Sequence, residues 1–272
     1  VLGVTMSIPE KLYKYESVSV QSLLNLKTQT VYFSSPAGFN DPYDCAIKAQ
    51  VEEPSTEELE QLKSIFLTKP WPAHVLDKLA STPTEELRPM LMRATREANE
   101  QIIDRFIENR GVSCFSEVND ELLMWAHYSD KYTGFCLEFA TDNELFSKAK
   151  KVKYVNEFPK LNALSTYGIN DRSDVLDLYC TKSMSWKYEL EWRCIHNKAG
   201  TAYTYPREAL TGVYFGPNIN PDMIEIICLI LQGQNPTVRF WRGKRSEASF
   251  KVEFEEFFYT SSLKAEELGL RT

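Results

Sequence analysis

Residues 55–110 carry a helical pattern broken at Pro70-Trp71-Pro72, while short β-patterned runs lie on both sides of them. That arrangement most narrows what the chain can fold into. Strands do not alternate regularly with helices, so a doubly wound parallel sheet is not expected. The expectation is an α+β fold: one domain over residues 1–272, a small bent mixed β core, and a helical insert at residues 52–110. Within the insert, Ser55 to Glu58 fits a capping box, followed by an apolar stripe at Leu59, Leu62, Ile65 and Phe66. Thr82, Pro83 and Glu85 suggest a second cap. The stripe Leu87, Leu91, Ala94, Ala98, Ile102 and Phe106 then runs to a stop at Gly111, with Pro89 near its start.

Outside the insert, strands are expected at 12–15, 30–34, 112–116, 134–139, 152–155, 188–195 and 211–215. Val238 to Trp241 and Phe250 to Phe254 read as a terminal β pair. Helices are expected at 17–26, 120–130 and 173–181. Asn220-Pro221 caps a run to Gln232 that reads as a helix, although its isoleucines also allow a buried strand. Residues 35–44, with two prolines, a glycine and an Asn-Asp pair, form an irregular loop.

Glycine is scarce, 11 of 272 residues, and no GxGxxG, GxxxxGK[ST], GxSxG or HExxH occurs. A nucleotide site here is therefore neither a Rossmann nor a P-loop site. The six cysteines are scattered and there are three histidines, so no metal site is expected. The net charge of -7 argues against general nucleic-acid coating. No apolar run is long enough to span a bilayer, and Val1 to Met6 lack the character of a signal peptide. A cytoplasmic protein without membrane contact is expected.

Four segments can carry chemistry. In Trp186 to Arg193, a strand would put Tyr188, Leu190, Trp192 and Cys194 on one face and Glu189, Glu191 and Arg193 on the other. Two such carboxylates can divide labour, one stabilising a positive charge on a sugar and one orienting a nucleophile. They also read as a solvated face neutralised by Arg193. In Ser113 to Ser116, the hydroxyls can hold a neighbouring carboxylate. Trp125 and Tyr128 on the next helix can wall a ring-binding pocket and His127 can act as a base or donor near pH 7; alternatively Trp125 and Tyr128 are core, Ser116 is a helix cap and His127 is a structural residue. Phe39 to Asp44, with Asn40 and Asp41, can grip ribose hydroxyls or cations, or satisfy its own turns. Lys14, between Tyr13 and Tyr15, can meet a phosphate, or remain a surface lysine. Arg239, Arg242, Lys244 and Arg245 suit a hairpin turn that touches an acidic partner or a phosphate backbone, or is simply solvated. Metal-dependent hydrolysis by Asp41, Asp44 and Glu191 would require those carboxylates to converge.

As an ordered set, several pieces resemble a large bacterial and phage family, domain of unknown function 2971. They are Leu12 to Tyr15, Tyr32 through Asp44, Cys114-Phe115-Ser116, Met124 to Tyr128 with Gly134 to Leu137, and Trp186 with Tyr188 to Arg193. More distantly, the order resembles the ADP-ribosyltransferase fold: a ribose- or phosphate-contacting first strand, a Ser-x-Ser-like strand, a helix, then an ExE strand. Lys14 and Tyr15 stand where that fold usually has Arg or His, and its Ser-Thr-Ser is Ser-Cys-Phe-Ser here. The resemblance implies a split sheet, with NAD as co-substrate cleaved at its nicotinamide–ribose bond. Glu191 would be the catalytic acid, Glu189 would place the nucleophile, and Ser113 and Ser116 would brace them. Tyr15, Trp125 and Tyr128 would line the nicotinamide pocket, with Lys14, Asn40, Asp41 and His127 as further cofactor contacts. The implied role is a toxin or phage-defence effector modifying protein or nucleic acid, with an inhibitor partner. The alternative is a non-catalytic module binding a ligand or a partner in a defence or stress system.

Overall fold

Alternating apolar side chains build the strands, and three-to-four spacing builds the helices that cover them. The computed structural model describes residues 7–45, 50–168 and 177–269. The chain groups into two compact units: Val1–Ser34, Gly111–Val152 and Ser185–Thr272 in one, Ser35–Arg110 and Lys153–Met184 in the other. The fold is α+β.

In chain order the elements begin β1 (Lys11–Glu16), α1 (Val20–Thr28), β2 (Thr30–Phe33), β3 (Gln50–Val51), α2 (Thr56–Leu67), α3 (Ala73–Ser81) and α4 (Thr84–Asn109). Then come β4 (Gly111–Ser116), α5 (Leu122–Tyr128), β5 (Phe135–Ala140), β6 (Lys150–Lys151), β7 (Lys153–Val155), β8 (Lys160–Leu161) and β9 (Thr181–Ser183). The last are β10 (Glu191–His196), β11 (Thr201–Thr204), β12 (Leu210–Phe215), α6 (Pro221–Gln232), β13 (Arg239–Arg245), β14 (Val252–Phe257) and α7 (Ser262–Glu267).

The first unit contains an eight-stranded sheet in the order β14-β13-β12-β5-β1-β4-β10-β6. Its described pairs are antiparallel except β12–β13, which is parallel. That pair needs a crossover, and α6 supplies it. The Asn220 side chain accepts from the Asp222 amide at 2.8 Å, and Pro221 occupies the first turn. These start signals resolve the helix-or-strand ambiguity, and Ile224, Ile227, Cys228 and Leu231 form its buried stripe. One sheet face carries Leu12, Phe115, Phe139, Trp192, Val213 and Phe215, packed with residues of α1 and α6. The opposite face carries Tyr15, Cys136 and Tyr214, packed with Met124 and Trp125 of α5.

The basic run lies within β13 rather than at a turn. Register places Lys244 opposite Glu253 and Arg242 opposite Glu255, so acidic β14 faces those charges.

In the second unit, the expected cap of α2 forms: the Ser55 amide donates to Glu58 at 2.8 Å, and the Glu58 amide donates to the Ser55 hydroxyl at 3.2 Å. The second capping box does not form. The Thr82 hydroxyl instead closes α3 by donating to the Lys78 carbonyl at 2.7 Å, and Glu85 pairs with Arg88. The helix α4 accommodates Pro89 and turns Thr95, Asn99 and Ile103 inward instead of Ala98 and Ile102. Of these polar groups, Thr95 donates to the Leu91 carbonyl and Asn99 Oδ1 accepts from Thr166, while Asn99 Nδ2 is buried with no hydrogen-bond partner among the described residues. Of the helix expected at 173–181, residues 173–176 lie outside the described residues; Asp177 and Leu178 are helical, and Thr181 already opens β9.

Candidate functional site

The Glu-Leu-Glu segment departs from the expected strand at its first half. Met184–Glu189 is a 3-10 helix, and β10 begins only at Glu191. Between them Leu190 has φ 43°, a left-handed conformation costly for a branched residue. Two long-range bonds hold it. The Ser116 hydroxyl donates to the Glu189 carbonyl at 2.7 Å, and the Glu117 amide donates to the Leu190 carbonyl at 3.2 Å. The expected alternation from Tyr188 is therefore corrected. Only Trp192 and Cys194 share the core face, and Glu189 is not a strand residue.

Register then brings three distant segments onto adjacent strands. Tyr13 of β1 lies opposite Ser116 of β4, and Ser116 lies opposite Glu191 of β10. Ser116, Glu189 and Glu191 are all buried. The Tyr128 hydroxyl donates to Glu189 Oε1 at 2.5 Å, which ties α5 to the acidic segment. Around this contact stand His127, Trp186 and Tyr188, with ring centroids 6.0–6.4 Å apart. His127 is exposed and the other two are half-buried.

Glu191 is held by Arg193, two residues along the same strand face. Arg193 Nε donates to Oε1 at 2.8 Å and Nη2 to Oε2 at 2.9 Å. The pair is bidentate and buried, the guanidinium fully so. It fixes the orientation of Glu191 and offsets its charge.

A second carboxylate on this sheet face escaped sequence reasoning. Glu138 is buried and accepts from Lys11 at 2.9 Å, Thr211 at 2.7 Å, and the hydroxyls of Tyr13 and Tyr214 at 3.3 and 2.8 Å. A charged residue inside Phe-Cys-Leu-Glu-Phe-Ala was the available signal. Burial pushes its pKa up, but the bonds from Lys11, Thr211 and Tyr214 outweigh this and hold it below the ordinary carboxylate value. Burial and Glu138 push the Tyr13 and Tyr214 phenols up, so both stay protonated donors.

A pH prediction follows from the sign of the Glu138 shift. A carboxyl with a depressed folded pKa favours folding above its unfolded value, about 4.3. That contribution is lost as pH falls through the folded value. The melting temperature should therefore drop steeply at the acid end, and Glu138→Gln should flatten part of that drop. An identical acid limb in the variant would exclude Glu138 as the group responsible.

Several expected site residues lie elsewhere. Ser113 is three residues from Ser116, so the pleat turns it to the opposite face, opposite Cys194 in the core. It does not brace the acids. Lys14 shares the Leu12 face for the same reason. Its ammonium lies over the Phe115 ring and reaches the Cys114 carbonyl at 3.4 Å. Tyr15 and Trp125 are core rather than pocket wall. They meet edge to face at 5.2 Å, and their polar atoms bond the Val118 and Asn119 carbonyls. Asn40 and Asp41 belong to the second unit. Asn40 is exposed, and Asp41 accepts from the Tyr43 amide at 2.9 Å. Asp44 is ion-paired with Lys182 at 3.1 Å. With Glu191 paired to Arg193, neither acid offers the uncompensated charge a divalent cation needs. Among the described residues, no cluster of three or more His, Cys, Asp or Glu side chains suits a metal ion, and no helix is long and apolar enough to cross a membrane.

A family model described as "Protein of unknown function (DUF2971)" matches residues 124–194. The match runs from α5 through the acidic segment to Cys194, and so takes in His127, Tyr128, Glu189, Glu191 and Arg193. No curated protein and no solved structure matches the chain.

Proposed function

We propose that the first unit cleaves the nicotinamide–ribose bond of NAD and passes the ADP-ribosyl group to water or to a protein or nucleic-acid acceptor. One observation carries this reading: Tyr13, Ser116 and Glu191 form a rung across three adjacent strands, with Glu189 hooked to Ser116. That is the order of elements the resemblance to ADP-ribosyltransferases implies. The family match supplies no activity of its own.

The chemistry requires an anion where positive charge develops on the ribose. Glu191, oriented by Arg193, supplies it. The carbon–nitrogen bond breaks, its electron pair leaves with neutral nicotinamide, and an oxygen nucleophile bonds to the anomeric carbon. Glu189 orients that nucleophile and takes its proton, while the Tyr128 hydroxyl positions Glu189. The rings of His127, Trp186 and Tyr188 offer stacking surfaces for nicotinamide. Such an enzyme would work in the cytoplasm, as a toxin or phage-defence effector restrained by an inhibitor.

The test is incubation with NAD labelled in both halves, with and without cell extract. Free nicotinamide and label transfer are expected from wild type, and loss of both from Glu191→Gln. Equal turnover by wild type and Glu191→Ala would remove Glu191 as the acid.

A second reading is favoured by the Glu191–Arg193 pair. A carboxylate with both oxygens on one guanidinium is also what a structural ion pair looks like, in a module that binds without catalysis. Thermal stabilisation by NAD or ADP-ribose supports the enzyme. A flat nucleotide panel together with a copurifying protein supports the module.

A further inference from the structure

The second unit holds a cavity of about 210 Å³, lined by none of the residues used in the proposed NAD cleavage; Asp41, a cofactor contact under the ADP-ribosyltransferase resemblance, lines it instead. It is smaller than the roughly 300–1,000 Å³ of drug-sized pockets, so its occupant is smaller than a dinucleotide. Tyr43 and Phe158 form a V at the wall, with ring centroids 5.8 Å apart and planes inclined by 48°. Val155 adds an apolar surface.

The charges decide what enters. Lys182 lines the cavity, but Asp44 neutralises it at 3.1 Å, and both side chains are almost fully buried. Asp41 also lines the cavity and is 8% exposed. Its Oδ1 accepts from the Tyr43 amide at 2.9 Å. Among the described residues its Oδ2 has no hydrogen-bond or ion-pair partner. Glu157 stands exposed at the same cavity with no ion-pair partner among the described residues. Among the described residues, two carboxylates therefore remain uncompensated beside two aromatic rings. An anion would meet repulsion there, whereas a cation gains from the ring faces and from a charge-assisted bond to a carboxylate.

The geometry points to a binding site for a small organic cation. The ligand is a protonated amine whose ring or hydrocarbon stem lies against Tyr43 and Phe158 while its N–H groups meet Oδ2 of Asp41. This inference is independent of the NAD reading.

Three near-isosteric probes separate the explanations: phenethylammonium, 2-phenylethanol and phenylacetate. Each is titrated into the full chain by calorimetry and thermal shift. Saturable binding of phenethylammonium alone is expected. Asp41→Asn should weaken it by about tenfold or more. Asparagine keeps an Oδ1 acceptor for the Tyr43 amide, so the turn survives the substitution. Phe158→Ala, at a position 45% exposed, should weaken binding without unfolding the chain. Tighter binding of phenylacetate, equal binding of phenylethanol, no binding of any probe, or phenethylammonium binding unchanged in Asp41→Asn would each overturn the assignment.

Discussion

Replacing Arg193 with leucine is expected to destabilise the fold by about 3–5 kcal/mol, read as a lowered urea midpoint. Arg193 is fully buried and grips both oxygens of Glu191. Removing the guanidinium leaves a desolvated carboxylate without that partner, and the penalty falls on the charge left behind. Glu191→Leu should be costly for the mirror reason. The double variant should cost clearly less than the two singles together, since neither charge is then stranded. Additive losses would mean that the two side chains do not depend on each other. The same pair bears on function. A Glu191→Gln protein that keeps its fold but releases no nicotinamide would separate the chemical role of the acid from its structural one.

Trp125→Ala is expected to lose about 3–5 kcal/mol. The indole is fully buried, meets Tyr15 edge to face and Phe254 at 5.8 Å, and donates to the Asn119 carbonyl at 2.7 Å. Its helix, Leu122–Tyr128, has 7 residues, too few to persist by helix propensity alone. Packing by Trp125 therefore holds the helix, and the helix presents His127 and Tyr128. Besides the stability loss, the bond from Tyr128 to Glu189 should weaken. Trp125→Phe keeps most of the buried area and should lose less. A change in unfolding free energy within about 0.5 kcal/mol for Trp125→Ala would place the indole outside the core.

Much of the fold was legible. The expected strands at 112–116 and 211–215 correspond to Gly111–Ser116 and Leu210–Phe215, and the caps at Ser55 and Asn220 stand where expected. These features are local: a pleat repeats every two residues, a helix every 3.6, and a cap is read from a few neighbours. The grouping of some candidate residues was legible, since Ser116, Tyr128, Glu189 and Glu191 do gather. Ser113 and Lys14 failed on the parity of the pleat, which a one-residue shift reverses. Tyr15 and Trp125 failed because an aromatic ring serves a core and a pocket equally well, and only burial distinguishes the two.

From the chain alone came most of the element types, the exclusion of glycine-loop nucleotide sites, and the shortlist of acids. Tertiary structure alone decided three things. It joined Tyr13, Ser116 and Glu191 in one rung. It forced Leu190 into a backbone conformation leucine avoids. It buried Glu138 among four donors. Each depends on partners far away in sequence, whose bonds outweigh local preference only once the sheet has closed around them.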